Sequence, residues 1–232
     1  MLQLRKSRDR GHADHGWLVS KHTFSFADYH DPAFKRFRKL RVINEDFIQP
    51  GQGFDTHSHA DMEIVTYVLR GALAHKDSMG NSSVILPGEV QRMSAGSGIT
   101  HSEYNHSKNE SVHLLQIWIH PSRLGLIPGY EQKAFSREAK QNQFCLVASE
   151  DGDRGSVEIH QNVKIYASIF TKDFQSDFPV HPGRYLWLHL IQGDLEVNEQ
   201  RIETGDAVYG SQPEILKIRA RADSEFLLFD LV

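Results

Sequence analysis

Short apolar runs alternate with turn residues along the whole chain. Clear examples are residues 63–69, 83–86, 113–119 and 226–231, which are rich in Val, Ile, Leu and aromatic side chains. Gly, Pro, Asn and Asp separate these runs, as expected for strands joined by short turns. A helical spacing of apolar residues occurs only around residues 130–140. The pattern therefore predicts an all-β protein, built as a sandwich or a barrel.

The two halves of the chain also resemble each other, which indicates an internal duplication. The similar segments are 69–73 with 191–195, and 87–90 with 204–207. Residues 121–143 interrupt the strand pattern with two prolines, two glycines and many charges. We therefore predict two tandem antiparallel barrels, an N-terminal domain of residues 1–130 and a C-terminal domain of residues 131–232.

Composition narrows the functional classes. The hydrophobic fraction of 39% is enough to bury a core, and the net charge of −4 disfavours direct nucleic-acid binding, which relies on clustered Lys and Arg. No apolar run approaches the roughly 18 residues that a membrane span needs. Cys145 is the single cysteine, so no internal disulfide can form. These features predict a cytoplasmic protein without a membrane partner, and a monomer is the default expectation.

Two pairs of metal-ligating residue types are spaced two residues apart, His57 with His59 and His101 with Glu103. Residues at this spacing share one face of a strand, so two such pairs on facing strands would converge. Three imidazoles and one carboxylate suit a first-row divalent ion, and on a six-coordinate metal they leave two positions for substrate and oxygen or water. We predict a catalytic metal site made of these four residues.

The same residues carry a resemblance to the cupin superfamily. Its first motif is matched by Gly51, His57, His59, Glu63 and Gly71, and its second by Gly98, His101 and Asn105. Residues 15–17, 22–29 and 93–103 look like the pirin family more closely, and this resemblance covers essentially the whole chain. Pirins are two-cupin proteins with iron in the N-terminal barrel, so the resemblance implies Fe(II) here; by ligand type alone, Zn, Mn, Ni and Cu remain alternatives.

Two functions follow from the resemblance. Some bacterial pirins show quercetin 2,3-dioxygenase activity, which implies a metal-dependent enzyme that opens a flavonol ring with O2. Its partners would be a small aromatic, flavonol-like substrate and dioxygen. Other pirins are non-enzymatic regulators that bind protein partners according to the redox state of their iron. The four predicted ligands fit both hypotheses.

Two carboxylates compete for the fourth ligand position. In many cupins the residue matching Glu63 binds the metal, whereas in pirins the residue matching Glu103 does. Glu63 shares strand parity with His57 and His59, so alternation alone leaves it open. We favour Glu103, because its spacing from His101 repeats the first pair, and it could also accept a proton from a bound hydroxyl.

The duplication predicts that the C-terminal barrel lacks the metal ligands. Its alignment places Pro179 and His181 opposite the first pair, and Ile218 and Ala220 opposite the second. Three of these four side chains have no donor atom for a metal.

Overall fold

The computed structural model describes residues 2–211 and 214–232. Strands dominate it, as the sequence predicts. Numbered in chain order, they are β1 (Gln3–Arg5), β2 (Gly11–Asp14), β3 (Leu18–His22), β4 (Leu40–Ile48), β5 (Gly53–His59), β6 (Glu63–Arg70), β7 (Leu73–Asp77), β8 (Ser82–Ile85), β9 (Glu89–Ser94), β10 (Ile99–Asn105), β11 (Val112–Ile119), β12 (Gly129–Ala134), β13 (Cys145–Ser149), β14 (Val157–Glu158), β15 (Val163–Phe170), β16 (Gln175–Pro179), β17 (Tyr185–Gln192), β18 (Asp194–Val197), β19 (Gln200–Glu203), β20 (Ala207–Gly210), β21 (Ile215–Ala220) and β22 (Ser224–Leu231). An α-helix, α1, spans Arg137–Lys140.

The chain forms two compact units. The first barrel comprises Gly11–Ala134 with Val157–Gln161, and the second comprises the remaining described residues. The predicted division between residues 130 and 131 falls inside β12, whose residues pair with β9 along its whole length. Residues 2–10 lie in the second barrel, because β1 pairs with β20. Such a long-range pairing leaves no mark in the local sequence pattern.

The first barrel consists of two antiparallel sheets. The larger has the strand order β12-β9-β6-β11-β4-β3-β2, and the smaller has the order β5-β10-β7-β8. In β10, Ile99, His101, Glu103 and Asn105 are buried while the residues between them are more exposed. This alternation has the period of two that a strand imposes, but here two of the inward positions carry ionisable side chains. The smaller sheet therefore presents ligand-type groups to the interior of the barrel.

The second barrel repeats this plan. Its smaller sheet has the order β16-β21-β18-β19, and its larger sheet includes β1-β20-β17-β22-β15-β13 in that order. The strands that correspond to β5 and β10 are β16 and β21. On β21, Ile218 and Ala220 are buried in an apolar core with Leu216 and Phe226. His181 is exposed beyond the end of β16. The interior of this barrel is thus apolar where the first barrel carries His101 and Glu103.

The helical spacing around residues 130–140 corresponds to a helix only at its C-terminal end. Residues up to Ala134 form β12, because pairing with β9 outweighs a weak local helical spacing. The helix is the four-residue α1, whose N-cap is Ser136; its hydroxyl accepts a hydrogen bond from the Ala139 amide at 3.2 Å. No helix in the described part of the chain is long and apolar enough to cross a membrane.

Candidate metal centre

The two predicted ligand pairs lie on neighbouring strands of the smaller sheet. In the antiparallel ladder between β5 and β10, His101 is opposite His57 and Ile99 is opposite His59. A β-bulge follows His101 and shifts the register before Glu103. Gly53 faces the backbone of Glu103 there so closely that a Cβ atom would clash with the carbonyl oxygen. Direct strand pairing, rather than two strands facing each other across the barrel, therefore brings the pairs together.

The three imidazoles converge at one point. Nε2 of His57 lies 3.0 Å from Nε2 of His101, and the ring centroids of His57 and His59 are 4.8 Å apart. One ring nitrogen from each of the three residues lies within 4.8 Å of the others. Two nitrogens bound about 2.1 Å from one ion, at right angles to each other, are about 3.0 Å apart. The spacing of His57 and His101 fits a shared metal ion.

Hydrogen bonding and burial prepare the imidazoles as ligands. Nδ1 of His57 donates to the backbone oxygen of Asp55 at 2.7 Å, which leaves a lone pair on Nε2. Burial, with the neighbouring His57, lowers the pKa of His59 to about 4. Burial and the same neighbour lower the pKa of His101 to about 3. Both rings are therefore neutral at pH 7, the form that binds metals.

Glu103 is fully buried beside His101. Its Oε2 accepts a hydrogen bond from Nε2 of Gln116 at 2.9 Å. Its Oε1 has no hydrogen-bond partner among the described residues. Burial raises the pKa of this carboxyl to about 7, opposed by the Gln116 hydrogen bond and assisted by Asp46. A cation placed beside Oε1 would offset the cost of ionising this carboxylate.

The carboxylate stands slightly apart from the imidazole group. Glu103 groups within 4.8 Å with His101 and with His75, and not with His57 and His59. His75 is a further buried imidazole, on β7, and lies opposite Glu103 in the ladder between β7 and β10. The structure thus places three of the four predicted residues in one group and the fourth in a second group that shares His101.

Glu63 lies in a different environment. Its Oε2 accepts hydrogen bonds from the Ser94 hydroxyl at 2.9 Å and the His160 amide at 3.2 Å. The chain turns between β5 and β6, with Asp61 at a φ of 51°. Strand parity therefore does not carry over from His59 to Glu63, which is absent from both ligand-type groups.

The donor set fits a divalent first-row metal. Three imidazoles and a carboxylate suit iron, nickel and their neighbours. Atom Oε1 of Glu103 is buried without a hydrogen-bond partner in the described part of the chain. Buried polar atoms in this state are rare and costly, so they mark a place built to hold something polar.

A cavity of about 430 Å³ opens onto this cluster in the first barrel. His57, His59, His101 and Glu103 line one side of it. The apolar lining comes mainly from the larger sheet and its neighbouring loops, and its large aromatic members are Trp17, Phe26, Phe54 and Trp118. Trp17 meets Phe54 edge to face at 5.2 Å, and Phe26 meets Trp118 in the same way at 5.4 Å. The volume lies within the roughly 300–1,000 Å³ of small-molecule pockets.

A row of polar side chains crosses the larger sheet beneath this cavity. His22, Asn44, Gln116 and Thr66 are opposite one another on β3, β4, β11 and β6. Nδ1 of His22 donates to Oδ1 of Asn44 at 2.9 Å, and the Thr66 hydroxyl donates to Oε1 of Gln116 at 3.1 Å. The Gln116 amide group then reaches Glu103 on the other sheet. The row fixes the orientation of the carboxylate.

Ser20 and Asp46 form a second polar pair in the cavity wall. They are opposite each other on β3 and β4, and the Ser20 hydroxyl donates to Oδ1 of Asp46. Both side chains are buried. Both residues line the cavity, so this pair provides a hydrogen-bonding position in a wall that is otherwise rich in aromatic side chains.

Several of these residues were not predicted as part of the site. The sequence shows that Gln116 and Trp118 share a strand face, which is now seen to be the cavity face. Among the aromatic residues of the segment 24–37, Phe26 lines the cavity, whereas Phe24 is buried in the core. His75 and Asp77 also sit at spacing i and i+2, which was the usable signal for the second group.

Metal binding is expected to weaken as the pH falls below about 7. With a pKa of about 7, Glu103 must release a proton when the metal binds. Each pH unit below about 7 therefore lowers the metal affinity about tenfold. His59 and His101 stay neutral over this range and add no slope. Chelator-competition titrations between about pH 5.5 and about pH 8.5 would measure this dependence. In Glu103→Gln the slope should vanish, and a slope that persists would assign the proton to another group.

Comparisons with known proteins agree with the fold and the resemblance. A family model described as Pirin matches residues 3–119, and one described as Quercetinase C-terminal cupin domain matches residues 146–231. Quercetin 2,3-dioxygenase of Escherichia coli (strain K12) is 49% identical over 232 residues, which cover 100% of this chain and 99% of that protein. The predicted resemblance is confirmed along the whole chain.

Two solved structures extend the comparison. The crystal structure of the bacterial pirin YhhW from Escherichia coli in complex with nickel(II) has a TM-score of 0.95 at 48% identity, and the match covers 100% of this chain and 99% of that chain. Quercetin 2,3-dioxygenase from Acinetobacter baumannii has a TM-score of 0.77 at 20% identity, covering 91% of this chain and 80% of that chain. The latter shows the fold alone. The prediction of two tandem cupin barrels is confirmed.

Proposed function

The chain belongs to the pirin family of two-cupin proteins, and from this premise we propose that it is a metal-dependent dioxygenase that opens the ring of a flavonol such as quercetin with O2. The observation that supports this most is the convergence of three imidazoles, with a buried carboxylate next to His101, on one side of an aromatic cavity. The proposed ligands are His57, His59, His101 and Glu103, and the proposed metal is Fe(II).

The cavity is suited to a flat aromatic substrate. Trp17, Phe54, Phe26 and Trp118 provide apolar faces and edges, which favour stacking with a planar ring system. The ring of Trp118 also contacts His59, with a centroid distance of 4.9 Å, so a ring packed on Trp118 would lie beside the proposed metal. The apolar walls exclude water, which strengthens the electrostatic interactions in the site.

When bound, the divalent ion would supply Lewis acidity and oxygen chemistry that side chains lack. The residues of the chain have three tasks beside it. Glu103 provides a buried carboxylate next to His101, which would accept the proton of a substrate hydroxyl. Gln116 holds Oε2 of that carboxylate, while Oε1 has no hydrogen-bond partner among the described residues. We expect the proposed ring cleavage to release carbon monoxide.

The Ser20–Asp46 pair supplies a recognition point for a second hydroxyl group. Both side chains line the cavity, and a carboxylate oxygen is a strong acceptor for a phenolic hydroxyl group. A polyhydroxylated flavonol can meet this position and the metal side at once, whereas a simple aromatic compound cannot. The pair therefore contributes to substrate selection in this proposal.

Asp46→Asn is expected to raise the KM for quercetin by about 10-fold or more, since a hydrogen bond to a charged group contributes about 1.5–3 kcal/mol. The kcat should change much less, because Asp46 is not among the proposed ligands. For 3-hydroxyflavone, which keeps the reacting hydroxyl and lacks the others, the KM should change little. Steady-state oxygen uptake with both substrates measures this, with Asp177→Asn, an exposed position on β16, as the control.

The proposal is tested by measuring oxygen consumption and carbon monoxide release from quercetin by the Fe(II)-loaded protein. We expect both in equal amounts and dependent on metal. If the protein with its metal fully bound consumes no oxygen with quercetin, the dioxygenase proposal fails. The same site would then be better explained as that of a non-enzymatic regulator that binds protein partners according to the redox state of its metal.

A further inference from the structure

Three buried polar atoms beside His101 have no hydrogen-bond partner among the described residues. They are Nδ1 of His75, Nδ1 of His101 and Oε1 of Glu103. The same three residues form a group in which one ligand-type atom of each lies within 4.8 Å of the others. His75 therefore belongs to a buried polar cluster that includes two of the proposed metal ligands.

His75 is held in one orientation by Asp77. Its Nε2 lies 3.2 Å from Oδ2 of Asp77, and both side chains are completely buried. The carboxylate can only accept, so Nε2 of His75 donates this hydrogen bond. The bond fixes the rotation of the His75 ring.

Asp77 is itself fixed by the turn between β7 and β8. Its Oδ1 accepts hydrogen bonds from the backbone amides of Met79 and Asn81, both at 3.0 Å. The Asn81 side chain donates to Oδ2 at 2.9 Å. This pattern makes the carboxylate a rigid anchor for the His75 ring.

His75 lies beside both proposed ligands of β10. Its ring centroid is 5.3 Å from that of His101, and His75 is opposite Glu103 in the ladder between β7 and β10. Asp77 is opposite His101 in the same ladder. The buried pair of Asp77 and His75 therefore borders the two ligands of this strand.

We propose that Asp77 and His75 are positioning residues for the metal centre, with the anchored ring of His75 holding His101 and Glu103 in place. The inference rests on the metal ligands of the proposed function. Residues that fix the orientation of metal ligands are costly to remove, although they do not touch the metal. Here the chain of contacts runs from Asp77 through His75 to His101 and Glu103.

The test compares His75→Phe and Asp77→Asn with the wild type. Loss of a residue that supports a metal ligand lowers the metal affinity by about 10–100-fold. We therefore expect His75→Phe to weaken Co(II) binding by this factor and to shift the Co(II) absorption spectrum. Asp77→Asn keeps the volume of the side chain and should act in the same direction. The double variant should be no weaker than His75→Phe alone, because the two residues act in one chain.

His113→Phe is the matched control. His113 belongs to the same barrel and is also paired with a carboxylate, Glu45, at 3.1 Å, but it does not line the cavity. The Co(II) affinity of the His113→Phe protein should stay within about twofold of the wild-type value. This change is far smaller than the loss expected when a positioning residue of the metal centre is removed.

Wild-type affinity and spectrum in folded His75→Phe and Asp77→Asn would overturn the proposal, and so would anomalous scattering from a second ion beside His75. If His75→Phe does not fold, Asp77→Asn decides alone. Failure of quercetin turnover in the loaded wild type would reject the dioxygenase and leave this test intact, because its readout is metal affinity.

Discussion

His101→Ala is expected to lose metal binding and, with it, all turnover of quercetin. His101 is buried, lies 3.0 Å from His57 and belongs to both ligand-type groups. Removal of a residue that only supports a metal ligand lowers the metal affinity by about 10–100-fold. Removal of His101, a ligand itself, should therefore lower the affinity by more than about 100-fold. Metal content after dialysis against a chelator, together with oxygen uptake and carbon monoxide release, measures both effects.

His106→Ala serves as the control for this experiment. His106 is exposed just beyond the end of β10, so the same substitution there should leave metal content and turnover unchanged. Thermal unfolding of the metal-free proteins separates loss of a ligand from loss of the fold. Wild-type turnover by a folded, metal-free His101→Ala protein would show that the ligand assignment is wrong.

Glu103→Gln should have the second largest effect. The substitution keeps the volume and an oxygen that can accept the hydrogen bond from Gln116, but it removes both the charge and the proton acceptor. General base catalysis contributes about 100-fold to 10,000-fold, so with saturating metal we expect kcat to fall by at least about 100-fold. The KM for quercetin should change far less, because Glu103 does not contribute to the aromatic walls.

This prediction separates two tasks of one residue. If Glu103 were only a ligand, excess metal would restore kcat in Glu103→Gln to nearly the wild-type value. If it is also the proton acceptor, kcat stays low at full occupancy. Steady-state kinetics at increasing Fe(II), with occupancy measured in parallel, distinguishes these outcomes.

The sequence predicts the parts of the site that depend on strand periodicity. The pairs at 57 and 59 and at 101 and 103 each share a strand face, and the structure places them on adjacent strands. The alternation of side chains between the two faces is a property of the extended backbone, so it can be read from the sequence without knowing the tertiary structure. The repeat likewise shows why Ile218 and Ala220 occupy the interior of the second barrel.

Other features of the structure depend on irregularities that interrupt the strand alternation, or on contacts between residues that are far apart in the sequence. The parity of Glu63 is lost in the turn around Asp61, which lies between two strands of different sheets. The bulge after His101 changes the partner of Glu103 without changing the sequence spacing. The role of Gln116 requires contact between the two sheets, and the pairing of β1 with β20 joins the two ends of the chain. Local patterns carry no information about such contacts.

The site also contains a group that periodicity could have shown. His75 and Asp77 share a strand face, as the two predicted ligand pairs do. They lack a family motif, and a His and Asp before a hairpin turn are also common in turns, where Asp binds nearby amides. The structure shows Asp77 performing that turn role and holding His75 at the same time. The two interpretations were therefore not alternatives.

The most direct test of the account is the location of the metal. Crystals of the protein loaded with Fe(II) should show one anomalous peak at the iron edge in the first barrel, about 2.0–2.2 Å from Nε2 of His57 and His101, a ring nitrogen of His59 and an oxygen of Glu103. A peak that excludes two or more of these side chains, or one bound in the second barrel, would contradict the account.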